Sequence, residues 1–247
     1  MNHAENRIFE VVIENHKSQS FYKNLDGFKL LLTSYGYVWL FYLLFFMAIG
    51  FLTNYFPEID TDRYKQTTLV EMLKNEPLKL LVSAVILAPI VEELMFRSII
   101  KTDHWQLLLF ISSWLAFFFR MIPLEIGFWP IRILLVAAVI IASFYILQEI
   151  IPKHRTDKIV RFLNKYPITI TIITSILFGF AHVYNYVDSF FINSALIILV
   201  FPRIILGGLA AWLKVKTGVL LWPILLHFLN NAVAVGIMLL SYHYFKH

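Results

Sequence analysis

Apolar stretches of bilayer length recur along this chain, and they constrain its fold more than any other feature. A hydrocarbon core about 30 Å thick is crossed by about 20 predominantly apolar residues wound as a helix. Such runs fall at about 29–52, 78–100, 105–120, 131–151, 167–184, 192–213 and 218–242. The expected fold is therefore all-α: a polytopic membrane helical bundle of about seven (6–8) transmembrane helices. Composition agrees, since 59% of residues are hydrophobic and only 15% are charged, where soluble domains carry about a quarter.

The first residues, "MNHAENRIFEVVIENHKSQSFYKNLDG", are mixed and polar and hold no short apolar core with a small-residue cleavage site. Residues 1–28 read as an N-terminal cytoplasmic arm, and 29–247 as one integral membrane domain. Met121 to Pro130 is a turn-like break holding Pro123 and Gly127. Lysine and arginine near the span ends set the orientation. With the N-terminus inside, the inner segments hold Arg7, Lys17, Lys23, Lys29, Lys101, Lys153, Arg155, Lys158, Arg161, Lys165, Lys214 and Lys216. The outer segments are poorer, with Arg63, Lys65 and Lys74 in one long loop. Seven spans then leave the C-terminus outside.

The chain has no cysteine, which removes disulfides, thiolate nucleophiles and cysteine zinc sites. The net charge of +5 reads as basic cytoplasmic loops, and no motif for nucleic acid accompanies it. Membrane lipids are the expected surroundings.

Against this background, a few polar groups are expensive where they stand. "APIVEELMFRSII" places Glu92, Glu93 and Arg97 in an otherwise apolar run. Residues four apart share a helix face, so Glu93 can pair with Arg97. Glu92 points about 100° away from Glu93 and lacks that partner. "FGFAHVYN" places His182 on the face of Phe178; alone, such a histidine can simply hydrogen-bond a carbonyl. "LLHFLNNAV" places His227 and Asn231 on one face, with Asn230 pointing elsewhere; alone, they can serve as glue between helices. Counted at about 1.5 Å per residue from the basic span ends, Glu92, His182 and His227 can meet in the inner half or middle of the bilayer. A carboxylate, two imidazoles and a carboxamide at one depth predict a polar, water-filled intramembrane cavity.

A buried carboxylate and an imidazole can hold and deprotonate a water. A second imidazole and an amide can donate to an oxyanion. Together they make an amide hydrolase. The set Glu92, His182 and His227 would equally suit a divalent metal such as zinc, and the spacing alone leaves both open. "HExxH", "GxSxG" and Gly-rich phosphate loops are absent. A transporter or proton relay also uses intramembrane acids and histidines.

In order, "EELMFR", "FGFAH" and "HFLNN" resemble the EExxxR, FxxxH and HxxxN motifs of the CAAX protease and bacteriocin-processing family, also called the Abi family. The resemblance covers about 80–100 and 170–235, with "KTGVLLWPILLHFLNNAV" also typical. It implies an all-helical intramembrane endopeptidase like the type II CAAX prenyl endopeptidases, acting on a peptide or protein that enters from the bilayer. The resemblance implies a general base at Glu92, a supporting pair in Glu93 and Arg97, and His182 positioning the water. His227 and Asn231 would form the oxyanion site. Some relatives are labelled metalloproteases; others are linked to bacteriocin immunity, which keeps a non-enzymatic immunity or scaffold role as the alternative. The expected location is the plasma membrane of a bacterium. Two departures stand out: Ser98 follows the motif arginine where glycine is frequent, and residues 104–165 form an insertion long enough for two extra spans.

Overall fold

In a computed structural model the backbone is described for residues 3–56, 61, 64, 66–120 and 128–244, and side chains from Asn24 onward except Arg120. Residues 121–127 of the turn proposed at Met121 to Pro130 and the loop cations Arg63 and Lys65 lie outside these residues, as do the side chains of most of the N-terminal arm. The described chain is helical throughout its regular parts, with no β-strand. Its elements are α1 (His3–Tyr55), α2 (Thr67–Asn75), α3 (Pro77–Leu80), a π-helical turn (Leu81–Leu87) and α4 (Ala88–Arg97). They continue with α5 (His104–Arg120), α6 (Trp129–Ile150), α7 (Lys153–Lys165), α8 (Pro167–Ala181), a 3₁₀ turn (His182–Asn185), α9 (Ser194–Thr217) and α10 (Leu221–Tyr244).

Five stretches are long and apolar enough to cross a membrane: Asn24–Tyr55, Trp129–Ile150, Pro167–Asn185, Ser194–Thr217 and Leu221–Tyr244. The expected spans at 78–100 and 105–120 are less regular. The first is divided by the π turn and carries the acids; the second is α5, whose apolar part is the shorter His104–Phe119. Counting both brings the crossings to the seven expected. No break in α1 marks the boundary proposed at residue 28, because the helix runs on from His3.

Large side chains such as Leu44, Met47, Phe118, Leu134, Ile168 and Leu240 are exposed. In water this would be a liability; in lipid an outward leucine costs nothing, and helices are held instead by close packing and polar contacts. α6 has no buried residue at all. α8 and α9 pack most intimately. A Cβ built on Gly179 would fall 2.2 Å from Ile204 Cγ1, so only glycine lets these backbones approach so closely. One core joins α1, α9 and α10 through Leu31, Val38, Leu206, Leu213 and Leu226. A second joins α4 and α8 through Met95, Phe96 and Phe178, with Trp114 of α5 against it.

The basic stretch after α6 is itself a helix, α7, which periodicity did not single out. Its role is a latch. Asn164 accepts from the Thr102 N–H and donates to the Thr102 carbonyl, both at 2.8 Å. His104 Nδ1 meets Thr156 Oγ1 at 2.8 Å. The segment 104–165 is thus bonded to the turn that follows α4.

Candidate active site

Glu92 and Glu93 leave α4 in different directions, as neighbours on a helix must. Glu93 is 1% exposed and turns inward: its Oε2 lies 3.2 Å from Arg97 Nε, with the arginine side chain wholly buried. Its Oε1 lies 2.9 Å from His227 Nδ1. A carboxylate only accepts, so Nδ1 carries the proton and Nε2 faces away from Glu93. The guanidinium is seated 4.9 Å above the Phe178 ring. A Cβ on Gly207 would come within 3.0 Å of Arg97 Nη2, so the glycine leaves room for the buried cation.

His182 begins the 3₁₀ turn after α8. Its Nδ1 lies 2.7 Å from the Phe178 carbonyl and donates to it, leaving Nε2 free. The histidine does bond a carbonyl, and that bond aims the other nitrogen at Glu92. Glu92 Oε2 lies 3.7 Å from His182 Nε2 and 3.9 Å from His227 Nε2. Both separations exceed a hydrogen bond. Glu92 Oε2 is buried and has no hydrogen-bond partner, while its side chain as a whole keeps 27% exposure. Phe178 packs edge-on to His227, with ring centroids 5.5 Å apart, and lies against His182 at 4.7 Å.

Asn231 is one helical turn beyond His227 on α10. Its Nδ2 donates to the Ala84 carbonyl of the π turn at 2.8 Å, and its Oδ1 accepts from Asn230 Nδ2 at 3.1 Å. The structure therefore brings Glu92, Glu93, Arg97, His182 and His227 into one cluster, with Asn231 tied to the adjoining backbone. Sequence reasoning passed over Arg203 of α9, a cation in a candidate span whose Nη1 donates to the Leu199 carbonyl at 3.3 Å. The signal was the lone charge in "VFPRII".

The gap between Glu92 and the imidazoles suits one water. A molecule about 2.8 Å from Glu92 Oε2 and from His182 Nε2, which lie 3.7 Å apart, would see them at nearly a right angle and donate one hydrogen to each. It would also supply the donor that Glu92 Oε2 lacks. For a metal, the ligand atoms must close in around a common centre. Among the described residues no group of three His, Cys, Asp or Glu side chains is arranged to do so.

Apolar helices enclosing a carboxylate beside two imidazoles define a polytopic membrane protein with a polar centre. Residues 74–233 match the family model for the Rce1-like type II CAAX prenyl endopeptidases, and the chain belongs to that family. The matched range contains all six residues singled out from the sequence and runs through 104–165. No curated protein and no solved structure matches the chain. Membership makes it an integral membrane protein of a protease family.

Proposed function

We propose that this protein is an intramembrane endopeptidase that cleaves a peptide bond near the lipidated end of a membrane-associated protein, with Glu92 as general base. The observation that carries this is the buried, unpartnered Glu92 Oε2 facing two imidazole nitrogens at 3.7 and 3.9 Å. Glu92 takes a proton from the water as its oxygen attacks the scissile carbonyl. His182, fixed by Phe178, holds that water in line. Glu93 holds the Nδ1–H of His227 and so turns its Nε2 toward the reaction. His227, carrying a proton on each ring nitrogen before and after the step, and the Asn231 amide donate to the oxyanion. The proton on Glu92 passes to the leaving amine, so general base and general acid are one group.

Burial of the centre among apolar helices suits a substrate that arrives through lipid rather than from water, and a prenyl chain supplies that route. We place the protein in the plasma membrane of a bacterium with its N-terminus in the cytoplasm, on the asymmetry of lysine and arginine between loops. Terminal proteomics of membranes from cells carrying either the wild type or Glu92→Ala tests the proposal. New C-termini that vanish in the variant are expected. Identical termini, with any protective or transport phenotype retained, would favour the immunity or transporter reading instead.

A further inference from the structure

A run of hydrogen bonds connects α1 to the candidate oxyanion site, and it begins at Tyr42, outside the motifs. Tyr42 Oη lies 2.9 Å from Asn230 Oδ1. Asn230 Nδ2 lies 3.1 Å from Asn231 Oδ1. Asn231 Nδ2 lies 2.8 Å from the Ala84 carbonyl. The last group fixes the direction of all the others. A carbonyl only accepts, so Asn231 must turn its nitrogen toward Ala84 and its oxygen toward Asn230. Asn230 must then donate, which leaves its own oxygen facing Tyr42, and Tyr42 must donate to that. No member can reverse without putting two acceptors or two donors face to face.

Why the Ala84 carbonyl is free follows from the backbone. In an α-helix it would receive the Ala88 N–H, but in the π turn that N–H goes to Ser83. The next candidate donor is residue 89, which is proline and has no N–H. The orphaned carbonyl is a fixed acceptor on the wall of the site, of the kind that π turns often create. Ala84 uses one of the two hydrogens on Asn231 Nδ2. The other is not claimed by any bond among the described residues.

We propose that Tyr42 and Asn230 are positioning residues that hold the Asn231 carboxamide nitrogen-forward, so that it offers an N–H and not an oxygen to the scissile carbonyl. This rests on the endopeptidase reading above. An amide turned the other way would set its oxygen against the developing oxyanion and oppose the reaction. A polar relay running from the first span to the third motif also gives α1 a role in the chemistry that the motifs do not record.

The relay can be read without a substrate. In full-length protein labelled with ¹⁵N-asparagine, the side-chain amide pair absent from Asn231→Ala identifies Asn231. Tyr42→Phe is expected to shift that pair and speed its exchange with water. An unmoved pair overturns the relay alone. Turnover is then followed with a fluorogenic peptide bearing an S-farnesyl cysteine fourth from its C-terminus. Asn231→Ala should lower kcat by about 10²–10³-fold, as loss of one oxyanion donor does. Tyr42→Phe should lower it by about fivefold, the worth of one net hydrogen bond, with KM unchanged. Tyr42→Phe/Asn231→Ala should be no slower than Asn231→Ala. If Tyr42→Phe slows both backgrounds by the same factor, the tyrosine acts through general stability and the proposal falls. Full turnover in Asn231→Ala, with the amide shift still present, overturns the oxyanion role and leaves the relay standing.

Discussion

Substituting Arg97 separates what holds this site together from what it does. Arg97 and Glu93 are 0% and 1% exposed and 3.2 Å apart. With an effective dielectric of about 20, opposite charges at that distance attract by about 5 kcal/mol. Losing one partner of a buried pair costs about 3–5 kcal/mol, because the other charge is left stranded. Arg97→Met keeps much of the volume over Phe178 but strands Glu93, and it should destabilise the protein by that amount. Adding Glu93→Gln removes the stranded charge, so the double variant should regain most of the stability. It should not regain activity. An amide can offer its own N–H to Nδ1 and so turn His227 into the wrong tautomer, and a comparable change in a serine-protease triad lowers kcat by about 10⁴-fold. Stability is read from unfolding midpoints in mild detergent titrated with a denaturing one, and activity from the prenyl-peptide assay. Equal stability of Arg97→Met and wild type would refute the buried pair. A double variant as unstable as the single one would refute the stranded-charge explanation.

Other consequences test the scaffold and the chemistry. Gly179→Val should separate α8 from α9 and cost about 1–3 kcal/mol by overpacking, and Ile204→Ala should relieve it, since Ile204 Cγ1 is the atom 2.2 Å from the added Cβ. Asn164→Ala removes both 2.8 Å bonds to the Thr102 backbone; faster hydrogen exchange at the Thr102 amide and a loss of about 1–3 kcal/mol are expected, with little change if α7 is only loosely apposed. Dialysis against a chelator should leave prenyl-peptide turnover unchanged; loss of turnover that added zinc restores would require a metal at the site.

Much of this was legible in the sequence because helix geometry is local. The spacing of Glu93 and Arg97 or of His227 and Asn231 fixes a shared face, and the structure gives Glu93 and Arg97 as partners. The bond from His227 to Glu93 was not legible, since it depends on how α10 is rotated against α4. The same holds for Tyr42 and Asn230, which are 188 positions apart in the chain. Asn230 does point away from Asn231's face, as its position requires, and what it meets there is set by α1. α7 escaped notice because its charges resemble an ordinary cytoplasmic loop, while Ile159, Val160, Phe162 and Leu163 supply only a brief apolar pattern. The π turn has one sequence mark, Pro89, which withholds an N–H without saying how the neighbouring bonds rearrange.

An experimental structure in lipid nanodiscs, at a resolution that reveals ordered solvent, bears on Glu92 itself. Solvent density within about 3 Å of both Glu92 Oε2 and His182 Nε2 is the predicted result. A dry Glu92 turned toward lipid, or bonded to some other protein donor with the histidines drawn apart, would contradict it.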